Sequence, residues 1–140
     1  LNHLIPARWD LWLDGGHNDS AGQVLGTQAR HWHATDPRPL HLVMGMKQEK
    51  DSGLFLTPLL PALTSLTIIP IPGMAQESHN AETIKAALKG AAPSLKIDTA
   101  DTIDQALTRF QKRIATGRIL IAGSLYLAGA VLGFKTDDPA

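Results

Sequence analysis

The sequence predicts a three-layer α/β domain, a mainly parallel sheet of about five or six strands with helices on both faces. Short apolar or β-rich runs recur at Trp9–Leu13, Leu40–Met46, Ser65–Ile71, Leu95–Ile97 and Arg118–Ala122. Each is followed by a turn signal, and most of those turns lead into a helical pattern. Strands that alternate with helices in this way cannot pair as hairpins; they pair in parallel through crossover helices.

The elements follow in order. Trp9–Leu13 runs into Asp14-Gly15-Gly16-His17-Asn18, a turn that opens a helix near Asp19 and continues over Ser20–His33. After the strand at Leu40–Met46, a helical pattern over Ser52–Leu63 contains Pro58 and Pro61, which remove donors and must kink or divide it. Pro70-Ile71-Pro72-Gly73 closes the third strand, because proline cannot donate to a ladder and glycine permits the tight turn. Met74 to Asn80 then reads as a surface loop before a helix over Ala81–Ala91.

Thr102–Ala115 carries the clearest periodicity. Asp101 stands at the N-cap, Ile103, Leu107, Phe110 and Ile114 recur at helical spacing, and Lys112 and Arg113 suit the C-terminal dipole before Gly117 ends the helix. The last strand leads through Gly123 into an apolar helix over Ser124–Leu132.

Composition narrows the function classes. A chain of 140 residues suggests one domain, able to bury roughly 70% of its unfolded surface. Thirteen basic residues balance thirteen acidic ones without a Lys/Arg block, so the footprint of a nucleic-acid binder is missing and a monomer is permitted. There is no cysteine, which excludes disulfides, thiolate metal sites and a Cys nucleophile, and fits a cytoplasmic protein. The longest apolar run, from Ile119 to Leu132, is broken by Gly123, Ser124 and Gly129 and falls short of a membrane span of roughly 20 residues. The start, Leu1-Asn2-His3-Leu4-Ile5-Pro6, lacks the features of a signal peptide and reads as the cut edge of a longer protein.

Three loops follow the carboxyl ends of strands, where open α/β sheets bind ligands. In the first, Asp14 offers a carboxylate to a sugar diol, while His17 or Asn18 faces an anion or a substrate carboxylate. The alternative is an Asp that caps its own turn beside a surface His. In the second, Gly45 to Asp51, Lys47 and Lys50 offer charge to a phosphate and Asp51 caps the next helix; a solvated charge cluster is the alternative. In the third, Gly123 admits close backbone approach, and Ser124 sits where its hydroxyl and neighbouring N–H groups hold a carboxylate or phosphate, or merely cap a helix.

Other candidates fail on geometry. His31 and His33 lie two apart on a helix and point to different faces, whereas helical zinc pairs use a spacing of four. Ser20, Ser52 and Ser94 lack a nucleophile elbow, Gly15-Gly16 is no dinucleotide fingerprint, and no P-loop occurs.

Taken in order, Leu11-Trp12-Leu13-Asp14-Gly15-Gly16-His17-Asn18, Gly45-Met46 with Glu49-Lys50-Asp51, Pro70-Ile71-Pro72-Gly73 and Gly123-Ser124-Leu125-Tyr126-Leu127-Ala128-Gly129 resemble the C-terminal domain of bacterial folylpolyglutamate synthase/dihydrofolate synthase, in the Mur ligase superfamily. The resemblance implies a Rossmann-like domain, and it spans nearly the whole chain, residues 1–140. It also implies a preceding ATPase domain that carries the P-loop and Mg2+ ligands, with ATP, L-glutamate and folate or dihydropteroate as substrates of the full-length protein. No catalytic residue is then expected within this domain alone, and no metal ligand.

By the same resemblance Asp14 holds the ATP ribose and His17 and Ser124 line the glutamate site. Asn18, Lys47, Lys50, Asp51 and Gly123 stand as supporting residues. Gly16 is often Ala in relatives, a change the turn is expected to tolerate, and Asp19 replaces a usual Pro. An Arg that precedes the first motif in the family has no match, since Arg8 is too close to Asp14. The alternatives are another superfamily ligase of the muramyl peptide type, which Gly123-Ser124-Leu125-Tyr126 argues against, and a non-catalytic binding module.

Overall fold

The computed structural model describes residues 9–16, 18–113 and 117–124. Among these residues five strands, β1 (Trp9–Leu13), β2 (Leu40–Met44), β3 (Ser65–Ile68), β4 (Lys96–Thr99) and β5 (Gly117–Ala122), form one sheet in the order β1-β5-β2-β3-β4. Every pairing is parallel, with Leu13 opposite Ile121 and Met44 opposite Ala122. The last strand thus inserts between the first two, so the turns after β1, β5 and β2 emerge side by side.

Among the described residues four helices cover the sheet: α1 (Asp19–Thr35), α2 (Ser52–Leu56), α3 (Ala81–Leu88) and α4 (Ile103–Arg113). Leu25, Ala29 and Trp32 of α1, Phe55 and Leu56 of α2, and Ile84 and Leu88 of α3 pack on one face against Leu42, Met44, Leu66, Ile68 and Leu120. Ala106, Leu107 and Phe110 of α4 pack on the other, against Val43, Ile69, Ile119 and Ile121. Neighbours along β2 and β5 serve opposite cores, as a period of two requires. All of β5 is buried, as expected of a central parallel strand covered on both faces.

Asn18 caps α1, its Oδ1 accepting the Ala21 N–H at 2.9 Å, so the helix starts at Asp19 without the proline. Pro58 and Pro61 divide the second helical pattern: α2 ends at Leu56, and a short 3-10 turn spans Leu60–Ala62. α3 stops at Leu88, short of the expected Ala91, because Lys89 turns left-handed at φ 52°.

The expected Asp101 cap of α4 is displaced by one residue. Thr102 Oγ1 accepts the Gln105 N–H at 3.1 Å, while the Gln105 side chain accepts the Asp101 N–H at 2.7 Å. Asp101 is therefore capped by the helix it was expected to cap. The helix end at Ile114 and Ala115 and the helix over Ser124–Leu132 lie outside the described residues, apart from Ser124 itself.

Candidate functional site at the carboxyl edge of the sheet

Backbone hydrogen bonds stitch the three strand-end turns together. Asp14 N donates to Ile121 O at 2.9 Å, Gly45 N to Ala122 O at 3.2 Å, and Gly123 N to Gly16 O at 2.9 Å. Gly123 has φ 106°, a region L side chains rarely adopt, and an added Cβ would lie 2.8 Å from Met44 Cγ and 2.9 Å from Gly45 O. The third loop therefore has to be glycine where it passes between the other two.

Gly16 is just as constrained, which corrects the expectation that alanine would be tolerated. A Cβ there would fall 2.5 Å from Ala21 Cβ and 2.8 Å from Asp14 Oδ1. The obstacle is space rather than backbone angle, because the first turn of α1 folds back over the loop.

Asp14 is half-buried, and its Oδ1 accepts the Gly16 N–H at 2.6 Å. The carboxylate thus closes its own turn, the structural alternative open from sequence, but with one oxygen. Among the described residues Oδ2 accepts no hydrogen bond, so a fixed carboxylate presents a second acceptor at the strand end. Ser124 is buried at 5% exposure immediately after Gly123. His17 lies outside the described residues, and Asn18 is spent on the helix cap.

In the second loop, Asp51 caps α2, its Oδ1 accepting the Leu54 N–H at 3.1 Å. Lys47 and Lys50 are half-buried in a loop that leaves the same sheet edge. The segment Met74 to Asn80 is the surface loop expected, largely exposed apart from Ser78, but it is tied down on the second loop. A type II turn at Pro72-Gly73, with Gly73 at φ 76° and Met74 N donating to Ile71 O, swings it back. Lys47 and Ser78 then form an antiparallel bridge, and Ser78 is buried at 3% exposure. Its hydroxyl donates to Met74 O and accepts from Ile71 N, which fixes the fold of the segment.

At the opposite edge lies a cluster the sequence reading missed. Arg118, 3% exposed, donates to Asp10 Oδ2 at 3.0 Å and to Asp36 Oδ2 at 3.0 Å, and its guanidinium lies 4.6 Å from the Trp32 ring centroid. Arg38 joins both carboxylates, at 3.6 Å to Asp10 and 2.7 Å to Asp36. Burial pushes the Asp10 carboxyl up, but the Trp12 N–H, Arg118 and Arg38 outweigh it and hold it below its ordinary value. The Arg38 hydrogen bond does the same for Asp36. This cluster clasps β1, β5 and the turn before β2 at the end of the sheet opposite the site turns.

His31 and His33 are exposed on either side of buried Trp32. Among the described residues no group of three or more His, Cys, Asp or Glu could hold a metal ion, and no helix is long and apolar enough to cross a membrane.

Solved structures share this fold. Folylpolyglutamate synthase of Mycobacterium tuberculosis complexed with ADP matches with a TM-score of 0.74 and 21% identity, over 93% of this chain and 30% of that one. A bifunctional folylpolyglutamate synthase/dihydrofolate synthase with Mn, AMPPNP and L-glutamate bound gives a TM-score of 0.72 and 17% identity over 94% of this chain and 30% of that one. The Yersinia pestis enzyme with AMPPNP and Mn gives 0.69 and 19%, over 90% and 28%. The chain spans less than a third of the length of these proteins. No curated protein sequence matches it. The family model for the C-terminal domain of dihydrofolate synthetase matches residues 2–134, and the chain belongs to that family.

Proposed function

We propose that this chain is the C-terminal domain of a cytoplasmic ATP-dependent folate glutamate ligase and forms the ribose and glutamate side of its active site. The observation that carries the reading is the stitched edge, where Asp14 and Ser124 are brought onto adjacent turns by the Gly123 N–H bond to Gly16. Family membership supports it, as do similar folds solved with ADP and with L-glutamate.

Asp14 fits a ribose diol: its turn bond fixes the carboxylate in place and the second oxygen is left to accept hydroxyl hydrogens. Ser124 and His17 take L-glutamate, and Lys47 and Lys50 lend positive charge toward the phosphates. The P-loop, Mg2+ and most pterin contacts belong to the preceding domain, which in this reading closes over the edge described here.

The reaction follows from the substrates. The pterin carboxylate attacks the γ-phosphorus of ATP, ADP leaves, and an acyl phosphate results. The amine of L-glutamate then attacks the acyl carbon, phosphate departs with the C–O electron pair, and the amine gives up its proton as an amide or γ-glutamyl bond forms. The domain alone is inactive because it lacks the groups that hold the transferred phosphate.

The test is ADP release by the intact protein with MgATP and L-glutamate, offered dihydropteroate, tetrahydrofolate or a UDP-muramyl substrate. Turnover with a pterin supports the reading. Turnover with the muramyl substrate alone reassigns the protein to the peptide ligases, and none at all leaves a binding module.

A further inference from the structure

The segment Met74 to Asn80 does more than cross the surface. Gln48 N donates to Glu77 O at 2.7 Å, and His79 N donates to Met46 O at 2.8 Å. The Gln48 side-chain amide donates to Ser78 O at 2.9 Å and Gln76 O at 3.2 Å. His79 completes the lacing: its Nε2 lies 2.8 Å from Lys50 O and its Nδ1 2.9 Å from the Thr83 hydroxyl. A carbonyl only accepts, so Nε2 carries hydrogen.

Thr83 is itself fixed. It is the third residue of the α3 capping box, where Thr83 N donates to Asn80 Oδ1 at 2.9 Å and Asn80 N donates to Thr83 Oγ1 at 3.1 Å. One imidazole thus ties the lysine loop to a rigid helix start 29 residues away in sequence. A loop that served only as a connection between β2 and α2 would not need five hydrogen bonds to a second segment.

We propose that His79 is a positioning residue, which sets Lys50 and, through the strap, Lys47 for the nucleotide phosphates; this rests on the ligase reading above. His79 touches no substrate and acts through the Lys50 carbonyl.

The experiment compares the intact protein, upstream domain included, as wild type, His79→Ala, His79→Gln and Gln48→Met. Amide exchange at residues 46–50, MgADP affinity and steady-state kinetics are measured together. His79→Ala is expected to speed exchange at Gln48 and Lys50 and to raise Kd for MgADP and KM for MgATP about tenfold, as misplacement of a binding group does. The glutamate KM stays close to wild type. His79→Gln keeps an N–H within reach of Lys50 O and recovers most of the loss, while Gln48→Met cuts other stitches of the strap and shifts nucleotide binding in the same direction.

Faster exchange with unchanged nucleotide binding overturns the proposal, as does a uniform loss in both His79 variants that tracks the melting temperature. Should His79→Ala not fold, Gln48→Met and His79→Gln decide by the same criterion. A wild-type protein that binds no MgADP overturns the ligase reading and this inference with it; equal binding by wild type and the variants overturns this inference alone.

Discussion

The Gly123 N–H donates to the Gly16 carbonyl at 2.9 Å, tying the turn after the last strand to the turn after the first across a sequence distance of most of the domain. At both ends of that bond a side chain is refused, by backbone angle and neighbours at Gly123 and by Ala21 and Asp14 at Gly16. Gly123→Ala is expected to destabilise the domain by about 1–3 kcal/mol, from left-handed strain and the contact with Gly45. Gly16→Ala, where the Asp14 carboxylate can turn but the Ala21 methyl yields only if the first turn of α1 moves, costs about 1–2 kcal/mol. Urea midpoints report both, at unchanged m-value.

Asp14 has two separable duties. Asn at this position keeps an oxygen for the Gly16 N–H but loses the charge; Ala loses both. Asp14→Asn should leave the urea midpoint near wild type and raise KM for MgATP about tenfold in the intact protein, while Asp14→Ala should cost a further ~1 kcal/mol of stability for the lost turn bond. Equal stability of the two variants would show that the turn bond contributes nothing.

Ser124→Ala and His17→Ala in the intact protein are expected to raise KM for L-glutamate and to leave KM for MgATP nearly unchanged, because Asp14 rather than these residues is assigned to the nucleotide. Unchanged glutamate kinetics in both variants would remove them from the amino-acid site.

Much of this edge was legible in the sequence because its signals are local. Asp14, Gly123 and Ser124 each follow an apolar strand and stand where a turn begins, and Pro58 with Pro61 announced the break in the second helix. What could not be read depends on pairings far apart in the chain. Asp10 meets Arg118 across 108 residues only because β5 inserts beside β1, and no periodicity encodes that order. The strap at Met74 to Asn80 looked like a polar loop because its bonds are made by backbone carbonyls, whose partners leave no trace in composition. Gly16 was misjudged because the limit is the nearby Ala21 methyl, not φ.

Arg118 is the residue at the foot of the fold whose loss should be felt most. Removing it takes from Asp10 and Asp36 the buried one of the two cations they share, leaving only Arg38, and uncovers Trp32; breaking a buried pair typically costs about 3–5 kcal/mol. The carboxylate partners are 32% and 46% exposed, so Arg118→Met should fall near the lower end, about 3 kcal/mol. Arg118→Lys keeps the charge but cannot fork between two carboxylates, and should recover less than half of that. Chemical denaturation in low and high salt checks both, with a small salt dependence expected for so enclosed a cation.

The pH dependence of stability should fall in two stages. His41, 3% exposed, lies 2.6 Å through Nδ1 from Ser65 Oγ and 5.1 Å from the Phe110 ring, beside a cavity of about 270 Å³ also lined by Lys96, Asp98 and Arg109. Burial lowers its pKa from the ordinary 6.5, because the imidazolium is poorly solvated there. Between the lowered value and 6.5 the unfolded chain binds more protons than the folded one, so stability rises with pH across that window. The contribution is complete above 6.5 and lost as pH falls through the lowered value. Asp10 and Asp36 act later: both are depressed below 3.8, so their contribution persists down to that point and disappears as pH falls through their folded values. Urea midpoints from pH 8 to 3 should therefore decline first below 6.5 and again below 3.8. His41→Asn, which keeps a polar partner for Ser65, should flatten the first decline and leave the second, while an Asp36→Asn variant should leave the first and shrink the second to the share carried by Asp10; a first decline that survives His41→Asn would assign it to another group.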